Sequence, residues 1–399
     1  MRSTSPISFH CPEIAVFFDL AVESARGILR GFMRYIRLNA PWNVTFVSKT
    51  VNDVDPSSLE NWFGDGILAH IPDLETLQVI YSKKCPTVLL AKNINDDIFG
   101  LPDFAMSPPP VFIRCDNAAI GRMAAHYFLE KNFQHFAYVA YSKDVCWCQE
   151  RRRVFDEILS QRGLHVHHFL SPPEGIDWFL QREKLQQWIS QLPKPVAILA
   201  ANDFRGRQVL EVCHRMNLSV PYEVAVLGVD NDLPMCEMSY PSLSSIAIDW
   251  EKAGFLCAES LDSLMKGKKP TEKTYGPIQV VSRNSTEFFH ISDKLVVQIL
   301  EIIRIARGEN LRVSDIVQQL PVSERSAQER FKKAVGHSIM EEIKQVRLKN
   351  ICEWIEQTDL SFQEIAVSFG FENANHLGQL FKKELGITMG EYRKQKKGE

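Results

Sequence analysis

Asp19, Asp116, Asn202, Asp203 and Asp230 share one kind of position, since each directly follows or ends a short apolar run that reads as a β-strand. Arg151 stands four residues after Trp147 at the opening of a helical pattern. Carboxylates and amides hydrogen-bond hydroxyls, an arginine presents a fixed fork of donors, and an indole can stack on the apolar face of a ring. These seven residues are the ligand-binding candidates, and their mix suits a neutral polyol better than an anion. Strand-end Asp and Asn also cap the helix that follows, so capping stands beside binding for each of them.

A second set lies near the C-terminus. Phe331-Lys332-Lys333-Ala334-Val335-Gly336 recurs 50 residues later as Phe381-Lys382-Lys383-Glu384-Leu385-Gly386. Each copy follows a short apolar helix pattern, a tight turn and an N-cap residue, Ser323 or Asn373, so each reads helix, turn, helix. Ser361-Phe362-Gln363-Glu364 adds a capping box, and a long helix from about Ser338 to Glu356 joins the copies. A helix fits the major groove of double-stranded DNA with its first turns facing base edges. The DNA-binding candidates are Ser323, Glu324, Arg325, Gln328, Lys332 and Lys333 in the first copy. In the second they are Asn373, Asn375, His376, Gln379, Lys382 and Lys383. A rigid linker helix would place both in successive grooves, about 34 Å apart. Charge does not single out DNA: residues 293–399 carry a net of only +1, without the basic footprint usual for nucleic-acid binding. A helical bundle that binds protein is the competing reading, and the doubled motif argues against it.

The elements that must hold the first set alternate in type. Apolar β-rich runs at 13–18, 44–47, 66–69, 87–90, 111–115, 136–140, 165–170, 196–201 and 224–229 are separated by helix patterns, among them Ser24–Arg37, Leu59–Trp62, Ala118–Glu130 and Gly206–Met216. Strict alternation implies parallel sheets with covered faces. Nine strands exceed one small sheet, so two stacked α/β lobes are expected. A late helix (Trp250–Lys266) and strand (Ile278–Val281) return across them. The expected fold is a two-lobed α/β domain over 12–285, the lobes comprising 12–131 plus 249–270 and 132–248 plus 271–285. A linker at 286–292 and an all-α double helix-turn-helix domain over 293–394 follow. Ligands in such folds bind at the carboxyl ends of the strands, here in the cleft between lobes. The stretch from Asn93 through Pro110 reads as a surface connection.

Composition sets outer bounds. The chain has 399 residues, 45% hydrophobic and 24% charged, with a net charge of −3; this suits two or three globular domains. No apolar run approaches the ~20 residues of a membrane helix, and Met1–Pro12 lacks the form of a signal peptide, so a cytoplasmic protein is expected. Nine cysteines, an odd number, do not read as a disulfide framework. Neither Cys146-Trp147-Cys148 nor His165, His167 and His168 has zinc spacing. No glycine-rich phosphate loop or nucleophile elbow is present. No metal, cofactor or enzymatic activity is expected.

The C-terminal stretch resembles the AraC/XylS family of DNA-binding domains, through Arg347-Leu348, Ile365-Ala366, Gly370-Phe371, Phe381-Lys382-Lys383, Gly386 and Glu391-Tyr392-Arg393. It departs from that pattern at Leu377, where an aromatic is usual, at Gln379, where Arg is common, and at Met389, where Pro is common. The first two departures are expected to change how the second recognition helix meets DNA. The preceding segment resembles the type I periplasmic-binding-protein-like sensor of LacI/GalR regulators. The matches are Asp116-Asn117-x-x-x-Gly121, Arg151 with Phe155, Ala201-Asn202-Asp203, Gly228-Val229-Asp230, Pro241-Ser242-Leu243-Ser244-Ser245-Ile246 and Arg283-x-Ser285-Thr286. In that family the positions of Asp116, Arg151, Asn202 and Asp230 contact a sugar. A LacI-type sensor ahead of an AraC-type DNA domain is the arrangement of the XylR-like regulators. Arg26-Gly27-Ile28-Leu29-Arg30-Gly31 and Gly64-Asp65-Gly66-Ile67 also resemble that group. The resemblance implies a homodimeric transcription regulator, D-xylose as favoured effector, and RNA polymerase as partner if it activates catabolic genes. Competing readings are a regulator sensing another sugar or small molecule in the same cleft, a sugar-binding transport protein, and an enzyme on the same scaffold.

Overall fold

The computed structural model describes residues 11–18, 20, 22–39, 41–47, 59, 62–71, 74–91, 109–141, 145–170, 178–287, 293–307 and 311–397. The chain divides into two units, Met1–Phe288 and Phe289–Glu399. Asp19, residues 60–61 of the expected helix at 59–62, the whole loop at 93–107 and residues 288–292 of the expected linker lie outside the described residues.

The first unit holds two six-stranded sheets. One contains β1 (Glu13–Phe17), β2 (Asn43–Phe46), β3 (Gly66–Ile71), β4 (Thr87–Ala91), β5 (Val111–Cys115) and β11 (Lys273–Tyr275), in the order β11-β5-β4-β3-β1-β2. Every pairing in it is parallel. The other contains β6 (His135–Val139), β7 (Val166–Phe169), β8 (Val196–Ala200), β9 (Val224–Asp230), β10 (Ser244–Ile248) and β12 (Pro277–Val281), in the order β12-β10-β9-β8-β6-β7. Only β12 runs antiparallel there. Parallel strands covered on both faces must be apolar throughout, and β8, Val-Ala-Ile-Leu-Ala, is buried at all five positions.

Eight helices connect and cover these strands among the described residues: α1 (Glu23–Asn39), α2 (Leu74–Ser82), α3 (Asn117–Glu130), α4 (Cys146–Ser160), α5 (Trp178–Gln191), α6 (Asp203–Arg215), α7 (Leu233–Glu237) and α8 (Trp250–Met265). The chain crosses between lobes along α3, along α8, and at Gly276. The last crossing falls later than expected, because Lys273–Tyr275 pairs with β5 and belongs to the first lobe. The strand is only three residues long, too short for an alternation pattern to announce it. β10 was also not expected. Its two leading serines disguise a fully buried strand, and they are satisfied by side-chain hydrogen bonds. Ser244 Oγ donates to the Arg283 carbonyl (2.9 Å), and Ser285 Oγ accepts from Ser244 N (2.8 Å) while donating to the Val226 carbonyl (2.6 Å).

Aromatic packing fixes the junction of the lobes. Phe128 on α3 meets Phe133 and Phe155 edge-on at 5.8 and 6.4 Å, and Phe155 meets Phe136 at 6.5 Å. Such pairs contribute roughly 0.5–1.5 kcal/mol each beyond their buried area. α1 and α8 approach even more closely, because glycines face backbone: a Cβ on Gly254 would lie 1.7 Å from the Ile28 carbonyl oxygen, and one on Gly31 1.8 Å from that of Glu251. Tyr35 then reaches Asp262 (2.8 Å), and Arg30 links Glu23 (2.6 Å) to Glu251 (3.1 Å).

The second unit is helical: α9 (Lys294–Ile305), α10 (Val313–Val317), α11 (Glu324–Val335), α12 (Ile339–Gln357), α13 (Phe362–Ser368), α14 (Ala374–Leu385) and α15 (Met389–Lys397). The two repeats end alike, with Gly336 at φ 94° and Gly386 at φ 76° as left-handed caps, a conformation that glycine adopts without steric cost. No helix of the described residues is long and apolar enough to cross a membrane.

The α1–α8 contact can be tested directly. Gly254→Ala forces two backbones apart and is expected to lose about 1–3 kcal/mol or more of stability in chemical denaturation. Gly390→Ala, whose Cβ would enter open space, is expected to be neutral or up to ~1 kcal/mol stabilising. Equal effects would remove close approach as the reason for glycine at 254.

Candidate functional site

α4 starts at Cys146, five residues before the expected opening at Arg151. Trp147 and Arg151 therefore sit one turn apart on the same face, and the guanidinium lies 4.5 Å from the indole centroid. Arg151 is only 4% exposed, so its charge requires compensation. Its Nε donates to Asn117 Oδ1 (2.9 Å), and Nη1 donates to the Ala201 carbonyl (2.6 Å). Asn117 opens α3 after β5, so this hydrogen bond joins the lobes. Gly121, one turn further on, lets α3 come close: a Cβ there would lie 2.5 Å from the Arg151 carbonyl oxygen. Asp116 caps α3, accepting from Ala119 N (2.7 Å), and does not line the cleft; Asn117 beside it does.

The cleft is a cavity of about 460 Å³. The first lobe contributes Glu23, His70, Arg114 and Asn117, and the second contributes Trp147, Arg151, Asn202, Asp203, Phe204 and Asp230. Trp250 and Tyr275 enter from the crossings, with ring centroids 5.5 Å apart. Five of the seven expected ligand residues thus meet in one place: Trp147, Arg151, Asn202, Asp203 and Asp230. Asn202 also caps α6, accepting from Arg205 N (3.0 Å). Sequence reading missed Asn117, Phe204, Trp250 and Tyr275. The first two are neighbours of residues it chose. The others sit at crossings, where nothing in local periodicity marks a binding wall.

Asp203 differs from its expected role. It is 2% exposed, and its carboxylate accepts from Ser245 Oγ (2.5 Å) and from Asp232 N (2.7 Å). Ser245 Oγ in turn accepts from Asn231 N (3.0 Å). These bonds clamp the turn after β9, where Asp230 (φ 107°) and Asn231 (φ 53°) hold left-handed backbone, a conformation that costs side-chain-bearing residues energy. Burial, and then the charge of Asp230, push the Asp203 carboxyl well above the usual range. Burial likewise pushes the Cys115 thiol, on the cavity wall, up to about 11. Among the described residues no group of three or more His, Cys, Asp or Glu could hold a metal ion.

In the helical unit, α11 and α14 present the expected DNA-facing residues. Glu324, Arg325, Lys332 and Lys333 are exposed and Gln328 half-buried; Asn375, His376, Gln379, Lys382 and Lys383 are exposed. Arg325 pairs with Glu329 one turn on (3.0 Å). Ser323 and Asn373 use their side chains as caps, accepting from Ser326 N (3.3 Å) and His376 N (2.9 Å). Leu377 corrects an expectation. It is fully buried with Ile351, Ile355, Phe369 and Phe381, so any effect of its departure from an aromatic on how α14 meets DNA acts through the core beneath the helix, not through Leu377 itself. Arg330 is held by Asp293, the cap of α9, through Nε at 2.7 Å. It is therefore engaged within the protein, unlike the neighbouring lysines.

Comparisons with known proteins agree with this geometry. Residues 125–286 match the periplasmic binding protein-like domain model, and residues 316–395 a helix-turn-helix domain model. The chain is similar to the xylose operon regulatory protein of Haemophilus influenzae, 28% identical over 96% of this chain and 98% of that protein. It is 26% identical to the protein of that name from Escherichia coli strain K12, over 95% of this chain and 96% of that one. Among solved structures, the xylose-binding transcription activator xylR has a TM-score of 0.81 at 24% identity, covering 96% of this chain and 98% of that one. The cellobiose complex of the transcriptional regulator CelR has a TM-score of 0.54 at 20% identity, covering 68% and 84%. With two lobes around a polar cleft and a doubled helix-turn-helix, the chain is homologous to the xylose operon regulators and shares the XylR-like arrangement, a periplasmic-binding-protein-like sensor ahead of a helix-turn-helix DNA-binding domain.

Proposed function

We propose that a neutral sugar, D-xylose first among candidates, binds between the lobes, and that the resulting closure changes occupancy of an operator by α11 and α14. The observation that carries this reading is the Arg151–Asn117 pair inside a cavity lined from both lobes. A ligand seated there touches both lobes at once, and it shifts their equilibrium by its differential affinity for the closed form. Asp230 and Asn202 hydrogen-bond hydroxyls, Arg151 adds guanidinium donors, and Trp147 supplies an apolar face. The names of the full-length relatives support xylose. Action as a homodimer, and activation through RNA polymerase, are part of the same proposal and rest on the resemblance to XylR-like regulators. Asp203 serves as the brace of the Asp230 turn rather than as a sugar contact.

Thermal unfolding with a panel of pentoses, hexoses and uronic acids tests the sensor. D-xylose at about 100 times its dissociation constant should add ~2.7 kcal/mol, and Asp230→Ala should lose that shift while still binding operator DNA without sugar. No shift with any sugar would sink the sensing role. The brace makes a separate prediction with a defined sign. Because the folded carboxyl of Asp203 is raised, the folded state holds a proton that the unfolded chain has released. Its contribution to stability is complete below the ordinary aspartate range and is lost as pH rises toward the folded value. Asp203→Asn should remove that part of the pH dependence; an unchanged pH profile would count against it. For DNA, Arg325→Ala should relax preference by ~1–3 kcal/mol at one base position across a set of operator variants. A uniform loss would identify a phosphate contact instead.

A further inference from the structure

We propose that the cavity is built for a disaccharide, with a second sugar ring lying against Phe204 beyond the ring held by Arg151, Asn117 and Asp230. This rests on the sugar-sensing reading above and extends it to the size of the effector.

Volume is the first argument. The cavity of about 460 Å³ falls within the roughly 300–1,000 Å³ of pockets that enclose ligands larger than a single small ring. Ligand sites of this kind enclose most of the ligand's surface, and a second ring fills more of this cavity than one ring alone.

The lining is also graded from deep to outer. Asn117, Arg151 and Tyr275 are 7%, 4% and 7% exposed, whereas Phe204 is 44% exposed and yet lines the same cavity. A single exposed phenylalanine on a surface needs no explanation. This one stands at the second position of α6, held there by the Asn202 cap, two residues from a proposed sugar contact. It offers the outer part of a polar cavity a flat apolar face, the surface on which the carbon face of a sugar ring stacks. Glu150 is likewise exposed and on the lining, and its carboxylate accepts from ring hydroxyls.

Charge limits the class. Apart from Asp203, whose carboxyl titrates well above the usual range, four carboxyl side chains line the cavity (Glu23, Glu150, Asp230 and Asp232) against two arginines, Arg114 and Arg151. This balance disfavours a phosphorylated or uronic second ring, which leaves a neutral glycoside.

Titration calorimetry on the full chain, with D-xylose, xylobiose and cellobiose as separate titrants, tests the proposal. A disaccharide is expected to bind at least tenfold more tightly than D-xylose, and Phe204→Ala to bring that ratio down to near one. Thermal unfolding without sugar checks that the variant folds. If D-xylose binds and neither disaccharide binds more tightly, the proposal falls while the sensing reading stands. If a disaccharide binds more tightly but Phe204→Ala keeps the ratio, the outer ring does not rest on Phe204 and the proposal is overturned. If no sugar binds, the sensing reading and this extension fail together.

Discussion

A guanidinium buried between two lobes constrains everything near it. Leaving such a charge without partners would cost several kcal/mol, and the surrounding sequence reads as a set of compensations for Arg151. Trp147 one turn earlier supplies a ring face, Ala201 just after β8 a carbonyl, and Asn117 at the start of α3 an amide oxygen. Gly121 removes the side chain that would hold α3 off the α4 backbone. The motif Asp116-Asn117-x-x-x-Gly121 therefore acts as one device with three parts: a cap for α3, a partner for the arginine, and a gap that lets the helices meet. The cavity and the joint between lobes are consequently the same place. A ligand that hydrogen-bonds Arg151 changes the energetics of the contact that links the lobes.

The turn after β9 is the second constraint, and it is held from behind. Asp230 faces the cavity on left-handed backbone, which persists only where neighbours over-determine it. Asp203 and Ser245 supply that support, each reaching an amide of the turn. Burying a carboxyl near Asp230 is unfavourable, as the raised Asp203 titration reflects. That energy is spent on fixing the direction of one cavity-lining carboxylate. It also explains why β10 is rich in serine, since an all-apolar strand would have no hydroxyl to place between Asp203 and Asn231.

What could be read without coordinates followed the strength of local periodicity. Parallel strands buried on both faces leave continuous apolar runs, so β5, β8 and β9 were legible almost to the residue, and Phe-Lys-Lys with its glycine cap marked both recognition helices. Features set by tertiary partners were not legible. The serines of β10 look like a loop until Asp203 and Ser285 are brought beside them, and β11 is too short for any pattern. Leu377 lies four residues before Phe381, a spacing that already points to a shared buried face, yet its family position directed attention to how the second helix meets DNA rather than to the core. Asp116 and Asp203 share their strand-end setting with Asp230, and only the side-chain partners separate cap, brace and cavity wall.

The low charge of the helical unit bears on how such a regulator can be controlled. With a net of +1 over residues 293–399, non-specific attraction to phosphates is weak, because that attraction scales with the number of phosphates neutralised. Arg330 contributes little to it, being committed to Asp293. The exposed lysines Lys332, Lys333, Lys382 and Lys383 remain, two on each recognition helix. Affinity must then come from both helices engaging together through α12, as in any bivalent binder, where the second contact gains only if geometry allows both. Weak single contacts make occupancy sensitive to small changes in that geometry. A strongly basic domain would hold DNA whether or not the sensor were occupied, whereas this composition leaves room for the few kcal/mol that a small ligand can supply.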